Sequence, residues 1–105
     1  MQEFLKRLIK EDLKMNPLKG AHGIDSENIN EFLIEPKLEK YIGSSNRNDI
    51  FEVWTVLQEN PDNRSGYTIF YDPEDKGFGL GLYTSDDQLM HLGFYGSFSK
   101  TLNSM

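Results

Sequence analysis

The run Gly77-Phe78-Gly79-Leu80-Gly81-Leu82-Tyr83 constrains this chain more than any other segment. Three glycines in seven residues oppose a helix, each costing about 1 kcal/mol relative to alanine. Strict alternation with apolar residues is instead the pattern of a strand. Alternation places Gly79 and Gly81 on one face and Phe78, Leu80 and Leu82 on the other. A face without side chains lets another backbone or a bulky ring approach closely. The C-terminal helix is the expected occupant of that face, and an outside partner is the alternative. Phosphate binding does not fit, since neither GxGxxG nor GxxxxGK[ST] is present and no helix opens after the glycines.

The neighbours of this run extend the same grammar. Residues 51–57, Phe-Glu-Val-Trp-Thr-Val-Leu, are rich in β-branched and aromatic types and apolar on both faces, which suits a central strand covered on both sides. A long turn at 59–66 leads to a second strand at 67–71. A turn at 72–77 carries Pro73 at its second position, where its fixed φ fits. The third strand runs from 78 to 84, residues 85–87 form a tight turn, and the fourth strand runs from 88 to 94. Connections this short imply an antiparallel meander, because parallel pairing needs a crossover.

Before residue 50 the apolar residues follow a period of 3.6. Phe4, Leu5, Leu8, Ile9 and Leu13 form one stripe, with Lys6, Lys10 and Lys14 lining another side. Asn16-Pro17 ends this helix, because the residue before proline is pushed out of the α region. A second helix is expected from Asp25 or Ser26, burying Ile29, Phe32 and Leu33, with a break at Ile34-Glu35. A third, short helix is expected from Pro36 to Ile42, since proline suits a first helical turn and Gly43 suits the position past the end. Ser97 or Ser99 can cap a closing helix with Phe98, Leu102 and Met105 at helical spacing. The expected fold is therefore α+β: N-terminal helices, a four-stranded antiparallel β-meander and a short C-terminal helix, in a single domain over residues 1–105.

Composition excludes several functions. The chain has no cysteine, so disulfides, thiolate metal sites and cysteine nucleophiles are ruled out. No run approaches a membrane span, and the N-terminus mixes charge with apolar residues unlike a secretory signal, so a cytoplasmic address is expected with no membrane partner. Seventeen acidic against eleven basic side chains give a net charge of −6, which argues against nucleic acid as a partner. Charge is uneven: residues 1–20 carry five basic and three acidic groups, whereas residues 21–60 carry three basic and eight acidic ones.

No catalytic signature stands out, and no cofactor or metal is expected. The acidic turns at Asp72, Glu74 and Asp75, and at Asp86 and Asp87, lack the ligand spacing of a calcium loop. No serine sits in a GxSxG elbow. His22 lies in a glycine loop, and His91 on the fourth strand has no local partner to orient it as a base. Two sharper readings survive. Glu27, Glu31 and Glu35, spaced by four, would line one helical face and, with Asp49 and Glu52, could steer a basic protein partner. Alternatively, a pocket between helices and sheet could use His91 and Tyr83 for ligand binding or acid–base chemistry. A homo-oligomer held by a sheet face or edge is a third reading, and the oligomeric state is left open.

Residues 66–105 carry a resemblance. Tyr67 to Asp72, Phe78-Gly79-Leu80, Leu92-Gly93, Tyr95-Gly96-Ser97-Phe98 and Thr101-Leu102 resemble the C-terminal half of small bacterial α+β proteins of toxin–immunity loci. The resemblance implies a non-enzymatic protein that neutralises a cognate toxin by binding it. It assigns no binding residues, because immunity surfaces differ between cognate pairs. Residues 1–50 take no part in it. The expectation is thus a protein-binding module whose acidic surface meets a basic toxin domain.

Overall fold

Five strands wrap into a closed barrel, and two helices cover part of its outside. The computed structural model describes all residues, 1–105. Helix α1 (Gln2–Met15) and two short 3-10 turns (Ala21–Gly23 and Ile29–Glu31) precede the strands. The strands are β1 (Leu33–Gly43), β2 (Ile50–Asn60), β3 (Ser65–Asp72), β4 (Gly77–Tyr83) and β5 (Leu89–Gly96), and α2 (Phe98–Asn103) closes the chain. Consecutive strands pair antiparallel, and β5 returns beside β1 in parallel through Ile42–Met90 and Gly43–His91. This join closes the sheet at the end of β1 and covers part of the edges that an open sheet would expose. No helix is long and apolar enough to cross a membrane.

The α+β class and the strands after residue 50 match the sequence reading. The segment 26–42 does not. In place of two helices it forms a 3-10 turn and then an eleven-residue strand, so the sheet has five strands and not four. Pairing with β2 explains the difference. Lys37, Leu38, Glu39, Lys40, Tyr41 and Ile42 each find a partner between Thr55 and Ile50. Pro36, read as a helix start, instead sits in an irregularity of the β1–β2 ladder between Leu33 and Lys37. A proline has no N–H to give a ladder, so a bulge is where a strand tolerates it. Its carbonyl accepts a hydrogen bond from Gln2 Nε2 at 2.9 Å, tying the start of α1 to this bulge.

The molecule has two apolar clusters. Inside the barrel lie Tyr41, Val53, Phe70, Tyr83 and Leu89. The Tyr41 hydroxyl is hydrogen-bonded to Thr55 Oγ1 at 2.7 Å and Thr68 Oγ1 at 3.0 Å, satisfying three buried polar groups together. Outside, Leu5 and Ile9 of α1, Ile24, Ile29, and Phe98 and Leu102 of α2 pack on Val56, Leu57, Ile69, Tyr71, Phe78 and Leu80. Strand β2 is thus covered on both sides, as its sequence requires.

The glycine face of β4 turns inward, and rings occupy it, not the C-terminal helix. A Cβ on Gly81 would lie 2.5 Å from Tyr41 Cε2 and from Thr68 Oγ1. One on Gly79 would lie 2.6 Å from the Gly93 carbonyl oxygen and against the Phe70 ring. A five-stranded barrel has room for these rings only because β4 brings no side chains at the two positions. Helix α2 packs on the opposite, apolar face through Phe78 and Phe98, whose ring centroids are 5.6 Å apart.

Candidate functional site

Helix α1 lies beside the start of β1 without closing against it, which leaves a groove of about 710 Å³. Its apolar lining comes from Ile9 and Leu13 of α1, Ile29 of the second 3-10 turn, Leu33 and Ile34 of β1, and Val56 of β2. Lys6, Lys10 and Lys14 form the rim on the helix side, and Ser26, Asn30 and Glu35 lie on the other. The rim follows from sequence: residues four apart stack along one helix face, next to the Ile9–Leu13 stripe that anchors the helix.

The three lysines differ electrostatically. Lys6 Nζ meets Glu35 Oε2 at 2.6 Å and Glu3 Oε1 at 3.8 Å, and the hydrogen bond to Glu35 raises its pKa above the usual lysine value. The remaining ion pairs use His22, Lys37, Arg47 and Arg64, so Lys10 and Lys14 have no carboxylate within 4.0 Å. An apolar trough edged by two uncompensated cations suits an anionic, amphipathic partner.

The acidic residues singled out by sequence are dispersed. Glu27 is exposed in a turn, Glu31 is exposed in a 3-10 turn, and Glu35 lies on β1 bound to Lys6. The continuous helix that would align them does not form. Glu52 on β2 stands opposite Lys40 in the β1–β2 ladder. Asp49 belongs to the β1–β2 loop, where its carbonyl accepts from the Gly43 amide at 3.0 Å. Glu35 and Gly43 are eight residue steps apart along β1, roughly 25 Å at strand rise. Glu35 and Asp49 therefore sit at opposite ends of β1.

His91 and Tyr83 both face the barrel interior and not the helices. His91 stacks between Phe51 and Phe70, with ring centroids 4.6 and 4.7 Å away. Burial between these rings lowers its pKa, outweighing the raising effects of a backbone hydrogen bond and of Asp72 and Asp75. None of the three main clefts is lined by His91. The Tyr83 hydroxyl accepts a hydrogen bond from Gln58 Nε2 at 2.9 Å, and burial raises its pKa, reinforced by Glu39. The helix–sheet contact that would have held their pocket is sealed by Leu5, Ile24 and Phe98, each fully buried.

His22 is anchored. Its Nδ1 lies 2.8 Å from Glu59 Oε2 and its ring meets Tyr67 edge-on. The acidic turns at 72–77 and 84–88 lie at opposite ends of β4, and Asp86 and Asp87 pair with Arg47 and Arg64. The sequence reading treated Lys10 and Lys14 only as the polar side of a helix. Their four-residue spacing beside an apolar stripe is the available signal, but the opposite wall of the groove is β1, whose local pattern is that of a helix.

Compared with protein-family models, with curated proteins and with solved structures, the chain gives no match in any of the three.

Proposed function

We propose that this protein is a protein-binding module that takes an acidic, amphipathic segment of a partner into the groove between α1 and β1. The observation that carries the reading is the pairing of apolar floor and cationic rim: Ile9, Leu13 and Leu33 beside Lys10 and Lys14, neither of which forms an ion pair. Apolar side chains of the segment supply the affinity, and its carboxylates choose the register. Neutralisation of a toxin is the form of this activity that the likeness of residues 66–105 to immunity proteins suggests, with the toxin presenting the acidic segment.

A calorimetric titration with two synthetic amphipathic helices tests the proposal. Both share one apolar face, and their polar faces carry either glutamate or lysine. Saturable, salt-sensitive binding of the glutamate peptide, lost in a Lys10→Glu/Lys14→Glu variant, supports the groove. Binding of the lysine peptide, lost in a Glu27→Lys/Glu31→Lys variant, overturns it in favour of the acidic surface. Binding of neither peptide also overturns it.

A further inference from the structure

The β1–β5 seam is paired only at Ile42–Met90 and Gly43–His91. Upstream of Ile42, the β1 edge has no strand partner on that side. A second cleft opens there, about 420 Å³ in volume, between β1 and the β4–β5 turn. We propose that this cleft binds a small zwitterion carrying a primary ammonium group and a carboxylate, as an α-amino acid does. The volume lies within the range of small-ligand sites and exceeds that of one water, about 30 Å³, many times over.

Glu39 supplies the first argument. It points inward from β1, its side chain is only 12% exposed, and its Oε1 is fully buried with no hydrogen-bond partner. The nearest cation, Lys37 Nζ, lies 3.7 Å from the other oxygen, Oε2, beyond hydrogen-bond reach. A buried carboxylate oxygen without a donor is costly, and native structures rarely leave one so. Turning the carboxylate about its terminal bond presents this oxygen to the cleft, where an ammonium group brings the missing donor.

The rim supplies the second argument. Arg64 is neutralised, donating from Nε to Asp87 Oδ1 at 2.6 Å while its guanidinium lies 4.8 Å from the centre of the Tyr83 ring. Lys40 forms no ion pair, and Lys37 is only loosely held. A simple cation entering the cleft meets Lys37 and Lys40, and a simple anion meets Glu39. A molecule with both charges satisfies each, its ammonium on Glu39 and its carboxylate towards the lysines. Ile42 and Leu89 offer apolar wall for whatever side chain it carries. This site lies apart from the groove beside α1 and shares no lining residue with it.

Amide NMR of the intact chain tests the proposal with L-leucine, 3-methylbutylamine, which lacks the carboxylate, and 4-methylpentanoate, which lacks the ammonium. Saturable shifts at residues 38–42 and 87–89 are expected with L-leucine, and binding about tenfold weaker or worse with either analogue. Glu39→Gln should weaken L-leucine binding at least about tenfold. If that variant does not fold, intermolecular NOEs from the ligand methyls to Ile42 and Leu89 of the wild-type chain decide. No saturable shift at millimolar L-leucine overturns the proposal. So does equal binding of the amine, unchanged affinity in Glu39→Gln, or NOEs elsewhere.

Discussion

The carboxylate of Asp12 reaches from α1 to Ser99 in the first turn of α2, accepting the backbone amide at 2.7 Å and the hydroxyl at 3.2 Å. With Ser97 Oγ accepting from the Lys100 amide at 3.1 Å, it satisfies two of the free N–H groups of a six-residue helix. Asp12→Ala should therefore cost about 1–2 kcal/mol, in the range of a lost cap with a buried partner. Urea denaturation checks this against Glu11→Ala, which is exposed one residue earlier and should change stability by less than about 0.5 kcal/mol.

Tyr41 predicts a loss at alkaline pH. Burial raises its pKa far above the tyrosine reference of 10.0, against the opposing hydrogen bonds from Thr55 and Thr68. Above pH 10 the unfolded chain releases this proton and the folded chain keeps it. The folded state then binds more protons, so stability falls as pH rises. Denaturation midpoints should decline between pH 9 and pH 11 in the wild type and less steeply in Tyr41→Phe. At neutral pH that variant should lose about 1–3 kcal/mol, because the Thr55 and Thr68 hydroxyls stay buried without their shared partner.

His91 acts at the other end of the pH scale. Its pKa is lowered by burial between Phe51 and Phe70. Below the unfolded value of about 6.5 the unfolded chain gains a proton before the folded chain does. Stability from this group is present above that pH and is lost as pH falls through it. The difference in stability between wild type and His91→Phe should shift towards the variant from pH 7.5 to pH 5. A constant difference across that range refutes the assignment, and NMR titration of the ring checks it directly.

The glycines of the barrel wall predict a contrast. Gly81→Ala forces a methyl group onto the Tyr41 ring and should destabilise by about 1–3 kcal/mol or more. Gly93→Ala should be close to neutral, since its Cβ would meet nothing nearer than Tyr95 Cε2 at 3.6 Å. Thermal melts of the two variants, measured side by side, separate the positions.

Much of the fold was legible in the sequence, and the error fell on one strand for a physical reason. Strands β2 to β5 declare themselves by β-branched and aromatic alternation between short turns. In β1 the inner positions hold Lys37 and Glu39, because they line an open seam and not the packed centre. Between Pro36 and Gly43 only Leu38, Tyr41 and Ile42 are apolar, and that spacing imitates a helix turn. Pro36 and Gly43 then completed a plausible helix. Long-range pairing with β2 overrides this local pattern, as tertiary context does for propensity generally. The mistake also concealed both clefts, since each has β1 as a wall. Three lysines four apart and an inward-facing glutamate were visible as residues, but not as the edges of concave surfaces.

The barrel is fastened by two residue pairs between strands that lie almost half the chain apart, at Ile42–Met90 and Gly43–His91. Such a join is expected to form late in folding, after the hairpins β1–β2, β2–β3, β3–β4 and β4–β5, because its chain-closure entropy is repaid last. Amides bonded across this seam should exchange through local opening, well below the free energy that unzips the β2–β3–β4 centre. The stave that closes this cask last is the one expected to loosen first.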